Sequence, residues 1–564
     1  MQTSRSAAGL VGAALQVLLL TVPAIGQETT RVSVDSSGAE GDNVSDDEGP
    51  SISANGQFVA FSSYASNLVA GDTNGVWDVF VHDRATGITE RVSVDSSGGE
   101  GNGKSPIAEI SADGQIVAFA SGASNLVAGD TNGACDVFVH DRATGITERV
   151  SVDSSGGEGN GESGNYFGMS ISADGQVVAF PSSASNLVAG DTNGAWDVFI
   201  HDRATKTTER VSVRSNGNQG NAESASPSIS GDGQVVAFRS AASNLVAFDT
   251  NGVWDVFVHN RATGNTKRVS VDSSGVQGNS YSVYTAISAD GQVVAFESLS
   301  SNLVAGDTNR DYDVFVHHRA TGITERVSVD SSGGQGNDYS YWPSLSADGQ
   351  IAAFYSKANN FVAGDTNGYP DVFVHDRATG ITQRVSVDSS GAEGNDDSGY
   401  DGLSLSTNGQ VVAFGSVASN LVAGDTNGAQ DVFVHERCDA TWSNYGAGFP
   451  GTNGVPSFTS RADPVLGTTV TLDLANSYGN ATVGLLIIGF QRTTIHTNWG
   501  SDVLADPLIT RVLVLPASGA SLSDLIPNDD DLCGFTLDLQ AIEADPGAAK
   551  GVSFTPGLEL VLGH

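Results

Sequence analysis

Residues 67–94, NLVAGDTNGVWDVFVHDRATGITERVSV, return with small changes as far as residue 435, and this repetition constrains the fold more than any other feature. The Asp that opens each DVFV-type segment stands at Asp78, Asp136, Asp197, Asp255, Asp313, Asp371 and Asp431. These are seven copies, separated by 58, 61, 58, 58, 58 and 60 residues by subtraction. Self-similarity at such a period marks a stacked or ring-shaped array, whose units bury their apolar sides against their neighbours.

Within the first unit the sequence predicts four strands, over residues 50–53, 58–61, 78–82 and 89–94. Asn55-Gly56 makes a turn between the first two, because it accepts positive φ cheaply. The second and third strands are apolar at successive residues, as expected of strands covered on both faces. The fourth alternates, with Val92 and Val94 on one side and Arg91 and Ser93 on the other, which marks a half-exposed outer strand. Four strands repeated radially make a β-propeller blade. RVSV-type outer strands begin at residues 31, 91, 149, 210, 268, 326 and 384, whereas the seventh DVFV segment runs into Glu436, Arg437 and Cys438 with none after it. The spare copy at residues 31–34 is therefore expected to complete the last blade and remove two open edges. The fold expected is all-β: a seven-bladed β-propeller closed by the N-terminal strand, followed by a small β-sandwich domain.

The blade pattern of Ser-x-Asp-Gly, then VAF, then DVFVHDR and TG resembles the WD-type repeats of TolB-like propellers over roughly residues 31–437. Ala replaces the usual Pro before Asp113-Gly114, and Asn55 and Asn408 replace that Asp in the first and last units. The resemblance implies a propeller. It carries over no partner lipoprotein, since TolB-like proteins have six blades and an N-terminal domain, and here there are seven blades and no such domain. Beyond residue 437 the pattern breaks, and strands are expected over residues 470–474, 483–488, 512–515, 535–542 and 558–562, between Gly, Pro and Asn turns. Residues 442–458 and the closing GVSFTPGLELVLG resemble C-terminal modules of secreted bacterial repeat proteins, which assigns no activity.

Residues 1–26 read as a secretory signal, with Arg5, an apolar stretch over residues 7–20 and small residues before Gln27. The organisation expected is thus a signal over 1–26, a propeller over 27–437 and a sandwich over 438–564, secreted, periplasmic or on the cell surface. No later segment approaches the ~20 apolar residues of a membrane helix. The balance of 26 basic and 65 acidic residues gives a net charge of −39, which repels nucleic acid. Cys438 and Cys533 are candidates for a disulfide in an exported protein. Cys135 occupies a position filled elsewhere by Trp77, Trp196 and Trp254 and reads as a packed thiol.

Strand parity sends the DTNG loops and the DSSGxxGN connectors to one face, and long loops on a rigid scaffold are where binding usually sits. Each DTNGxxD loop keeps two carboxylates and an Asn: Asp72, Asn74 and Asp78; Asp130, Asn132 and Asp136; Asp191, Asn193 and Asp197; Asp249, Asn251 and Asp255; Asp307, Asn309 and Asp313; Asp365, Asn367 and Asp371; Asp425, Asn427 and Asp431. Hard oxygens at such offsets suit Ca²⁺, with the ~10⁻⁴–10⁻³ M dissociation constants of extracellular modules. Asx turns and strand-start bonds explain the same residues without metal. The connectors also carry Tyr166, Phe167, Tyr281, Tyr284, Tyr339, Tyr341, Trp342 and Tyr400, which can stack on sugar rings, bind a protein partner or pack their own loops.

A ring of histidines, His82 through His435, reads as repeat packing. The sequence holds no G-x-S-x-G elbow, H-E-x-x-H motif or phosphate loop. An enzyme would instead show blade-specific polar residues near the axis. The expectation is a non-enzymatic exported scaffold that binds a protein or glycan on the DTNG-loop face. The alternative is a propeller enzyme acting on extracellular polysaccharide or lactone.

Overall fold

The computed structural model describes residues 27–164, 168–437, 440–466, 468–499, 502–526, 532 and 535–563. The signal expected over residues 1–26, the Cys438–Cys533 pair, Tyr166 and Phe167 lie outside them. The chain divides into two compact units, one of Glu28–Asp388 with Ala392–Glu436, the other running on from Arg437 and including Gln27 and Ser389–Gly391.

The first unit is built from seven four-stranded antiparallel sheets. In the first blade the strands are Ser51–Ile52, Phe58–Ser63, Asp78–Asp83 and Ile88–Arg91. Its two middle strands are almost wholly buried, because neighbouring blades cover both of their faces. Phe61 and Phe80, both fully buried, stack with centroids 6.0 Å apart, and the same Phe pair recurs in every blade. Such a ring removes its aromatic surface from water only by packing blade on blade, at roughly 2–3 kcal/mol for each Phe.

Two observations show that the array closes. The last blade takes its outer strand from the N-terminus, where Glu28–Arg31 pairs antiparallel with Asp431–Glu436, Arg31 facing Phe433. At the axis, the turns after the seven innermost strands form a continuous circle of backbone hydrogen bonds. The amide of Ala54 donates to Ala112, Ala112 to Ala173, Ala173 to Gly231, Gly231 to Ala289, Ala289 to Ala347, Ala347 to Thr407 and Thr407 back to Ala54, all at 2.8 to 3.0 Å.

The outer strands differ from the expected register. They end at Arg91 and its equivalents rather than running on through RVSV, and the closing strand is Glu28–Arg31 rather than residues 31–34. The Ser in RVSV explains this. Ser93 Oγ accepts from the Val79 amide at 3.2 Å and donates to Asp78 Oδ1 at 2.5 Å, so a side chain takes the place of the next ladder bond. Ser33 does the same for Val432 and Asp431.

Each of six described histidines, His82, His140, His201, His259, His317 and His375, bonds the Thr of its own outer strand, and that Thr reaches the preceding blade. His82 Nδ1 lies 2.8 Å from Thr89 Oγ1, whose single proton goes to the Val34 carbonyl, so the ring nitrogen is the donor. Cys135 is a free thiol packed among apolar neighbours, and burial pushes it up to about 12.

In the second unit a larger sheet orders Thr441–Tyr445, Gly557–Val561, Thr536–Ala544, Thr482–Gly489 and Ile509–Leu515, with Val552–Phe554 pairing along Thr536–Ala544. It faces a three-stranded sheet of Phe458–Ser460, Thr469–Leu474 and Ala520–Leu525. Alternate residues Val470, Leu472 and Leu474 meet Leu486, Ile488, Leu537, Leu539, Leu558 and Leu560 in one core, which makes the unit a sandwich. No helix among the described residues is long and apolar enough to cross a membrane.

Candidate binding site at the axial channel

The DTNG loops and connectors do share a face, since Glu100 in a connector accepts from Thr73 N at 2.9 Å and from Thr73 Oγ1 at 2.9 Å. Inside that junction lies a cation. Arg91 Nη1 stands 3.6 Å from Asp72 Oδ1, 3.3 Å from Asp78 Oδ2 and 2.6 Å from Glu100 Oε1. Arg149, Arg210, Arg268, Arg326, Arg384 and Arg31 repeat the arrangement with their own Asp pairs.

The Asn does not offer the oxygen expected of a ligand. Asn74 Oδ1 accepts from the Val76 amide at 2.9 Å, while Nδ2 donates to Asp78 Oδ2 and to the Gly101 carbonyl. Asn132, Asn193, Asn251, Asn309, Asn367 and Asn427 likewise spend their oxygens on the amide two residues ahead. The third oxygen donor comes instead from the connector. In four blades Glu100, Glu158, Glu393 and Glu40 bring carboxylate oxygens within 4.8 Å of those of the two Asp residues, a triad that can hold a metal ion. Gln219, Gln277 and Gln335 replace that Glu in the other three. Burial, then the nearby Asp78 charge, raises Asp72 to about 6 against the pull of Arg91. For Glu40 burial pushes upward, but bonds from Thr426 and Asn427 and the charge of Arg31 outweigh it and bring it to about 2.

These seven loop modules are alike. What differs between blades collects elsewhere, around the axis. The innermost strands line a channel of about 380 Å³, constricted at one end by the circle of backbone hydrogen bonds. Its other mouth lies where those strands begin, on the DTNG-loop side. Four residues before each Ser of the Ser-x-Asp-Gly turns stand Gly49, Ile107, Gly168, Ser226, Tyr284, Trp342 and Gly402. All but Ile107 have positive φ, and three are Gly, the residue that backbone favours. Tyr284 at φ 30° and Trp342 at φ 54° hold it at a cost, and strain kept by bulky side chains in a cleft points to use. Tyr284, Tyr341, Trp342 and Tyr400 are thus on the innermost strands, Ser282–Ile287, Ser340–Leu345 and Ser398–Leu405, and not on connectors as the sequence suggested. Those strands start earlier than the first blade's Ser51–Ile52, and most of them bulge.

A second variable column lies between Phe and Ser of the second strands: Ser62, Ala120, Pro181, Arg239, Glu297, Tyr355 and Gly415. Each such residue in blades four to six meets the innermost strand of the next blade. The Arg239 guanidinium lies over the Tyr284 ring at 4.8 Å and over Trp254 at 5.0 Å. Glu297 Oε2 accepts from the Trp342 amide at 3.0 Å, and Tyr355 packs edge-on to Tyr400. Tyr284 and Trp342 themselves have centroids 4.0 Å apart, and Tyr339, Tyr341 and Tyr312 extend the aromatic wall outward. Tyr281 stands exposed beside it. Another side of the mouth is acidic, with Glu48 from the first blade, Asp401 from the last and Glu109 further in, and Asp47 close enough for its charge to act on Glu48. None of Arg239, Glu297, Glu48, Glu109 or Asp401 was singled out from sequence. Comparing the repeats column by column would have found them, since Glu109 stands where five blades have Ser.

The acids at this mouth are held toward their neutral forms. Burial, then the charges of Asp47 and Asp401, raises Glu48 to about 7. Glu109 is partly accessible, but only from within the channel, and loss of bulk water raises it to about 7; burial takes Glu297 to about 8. In the unfolded chain these groups titrate near 4.3. The folded state therefore holds their protons more tightly, and the stability this gives is lost as pH rises through 7 to 8. The buried histidines, whose values burial lowers, give a slope of opposite sign until the unfolded chain has lost its own histidine protons, near 6.5, and that loss is nearly complete by about pH 7.5. The melting temperature is expected to fall between pH 7.5 and 8.5, and Glu297→Gln to flatten that fall, as differential scanning calorimetry would read directly.

No family model matches the chain, and no curated protein matches it. Among solved structures it is similar to the WD40 repeats of RRP9, at 9% identity over 74% of this chain and 99% of that one, with a TM-score of 0.36. It is similar to a protein described as a TolB from Agrobacterium tumefaciens, at 14% identity over 50% of this chain and 80% of that one, TM-score 0.32. A third likeness is to the extracellular domain of a hybrid two component system from B. thetaiotaomicron, at 9% identity over 85% and 47%, TM-score 0.34. The propeller itself is established by the sheet topology, and the residues at the mouth take no role from these proteins.

Proposed function

We propose that this chain is an exported, non-enzymatic β-propeller that binds a saccharide at the loop-side mouth of its axial channel. One observation carries the reading. The side chains that break the sevenfold repeat, Arg239, Tyr284, Glu297, Trp342, Glu48 and Asp401, meet at a single place, whereas the rest of the ring repeats. A channel of about 380 Å³ falls in the range of small-ligand sites, which run roughly from 300 to 1,000 Å³, and is too narrow for a flat protein surface. Half-buried aromatic rings flanked by donors and acceptors suit a pyranose, which presents an apolar face and polar edges. A glycan array on the full chain is expected to give a defined set of hits. Trp342→Ala should weaken the best of them at least tenfold, about 1.4 kcal/mol, with an unchanged melting curve. Hits that survive Trp342→Ala unchanged would remove the mouth as the site.

A second reading, a polysaccharide- or lactone-cleaving enzyme, is favoured by the blade-specific polar residues that the axis does carry, contrary to the sequence expectation, above all Glu48 and Glu109, both raised to about 7 and both lining the channel, as a general acid requires. Turnover abolished by Glu109→Gln with binding retained would select it. Calcium is the cation that the oxygen triads beside the DTNG loops suit best. The Arg guanidinium already compensates those oxygens, so calcium is expected to bind where the Arg is removed.

A further inference from the structure

The ligand class can be taken one step further, on the reading of the mouth as a saccharide site. We infer that the saccharide is an amino sugar, its ammonium group set among Asp47, Glu48 and Asp401 and its ring against Tyr284 and Trp342. No simpler ligand uses everything the mouth presents. A neutral sugar covers the aromatic rings and leaves Asp47, Glu48 and Asp401 with only the Lys104 charge set against them. A metal ion satisfies the carboxylates and makes no use of two aromatic side chains held at positive φ. An anion meets a mouth crowded with acids on a protein of net charge −39.

Two buried groups also lack hydrogen-bond partners. Both carboxylate oxygens of Asp46, a residue 2% exposed, are unsatisfied, but they lie beside Gly415 of the last blade and do not line the channel. Ser226 Oγ, on a residue 7% exposed that lines the channel, is unsatisfied as well. Unpaired buried polar atoms cost free energy until something binds them. Of the hydroxyls on the wall below, Ser51 and Thr285 already donate to Glu109 and to the Ser226 carbonyl, and Ser344 and Ser404 are those that a polyhydroxylated ring would engage and a plain alkylamine would not.

The cations near the acids are Lys104, whose charge acts on Asp47 and Glu48, and Arg239, stacked on Trp254 and Tyr284. Glu48 faces Asp47, Asp401 and Lys104, with Tyr284 across the channel, and titrates about 7. An ammonium ion binds its charged form, which is present above that value and lost as pH falls through it. Affinity should therefore drop from pH 7.5 to pH 5.5, although the amine itself becomes more fully charged over that interval.

The test is isothermal titration of the full chain at pH 7.5 with a glucosamine trimer, its N-acetylated counterpart, a glucose trimer and spermidine. The glucosamine trimer is expected to bind at least tenfold more tightly than either neutral trimer and than spermidine. Glu48→Gln and Asp401→Asn should each remove most of that preference, and the N-acetylated ligand makes the same comparison without altering the protein. Equal affinity for neutral trimers, lost in Trp342→Ala, would overturn the amino-sugar inference and leave the saccharide reading standing. Spermidine binding as tightly as the glucosamine trimer would overturn the ring contribution. No binding of any trimer would sink both.

Discussion

A chain lacking residues 28–34 is expected to lose at least about 5 kcal/mol of stability and to melt over a broadened range. That segment does three things at once. Glu28–Arg31 pairs the open edge of Asp431–Glu436, Ser33 and Arg31 satisfy the buried Asp431, and Val32, 1% exposed, fills the seam of the last blade. Stripping the partners from a buried carboxylate costs about 3–5 kcal/mol, and exposing a buried Val adds about 1.5–3. The raw edge is a further liability, because a strand with unpaired amides and carbonyls recruits other chains. Chemical denaturation followed by tryptophan fluorescence gives the loss, and an unchanged midpoint would mean that the ring does not depend on its borrowed strand.

Arg91→Met is expected to be nearly as damaging, at about 3–5 kcal/mol, because it leaves Asp72, Asp78 and Glu100 clustered without their cation. The equivalent change at Arg210 should cost less, since Gln219 stands where the third carboxylate would be. Millimolar Ca²⁺ should restore part of the lost stability of Arg91→Met and leave the melting of the parent chain unmoved. A large calcium shift in the parent would show that metal, not arginine, is the counter-charge in solution.

The ring was legible because two simple signals agreed. The period set seven units, and the count of RVSV segments against DVFV segments left one spare strand at the front of the chain and one vacancy at its end. The outer register was misjudged because alternation in Val92, Ser93 and Val94 looks like strand, while Ser93 is in fact a side-chain substitute for a ladder bond. The loop chemistry was half legible. Asp72 and Asp78 do converge, yet their partners Arg91 and Glu100 come from the outer strand and the connector, beyond the reach of local spacing. The mouth was the hardest part. Contacts such as Arg239 on Tyr284 join the second strand of one blade to the first strand of the next, and bulges decide where those strands begin. The aromatic residues could be named from sequence, but not the acids that face them.

The most direct test of the account is hydrogen exchange of the full chain with and without the tightest-binding saccharide. New protection is expected over residues 46–52, 282–287 and 340–345, around Glu48, Tyr284 and Trp342, with the second unit unchanged. Protection confined to residues 440–563 would contradict it, because the ligand would then belong to the sandwich and the propeller mouth would be only packing.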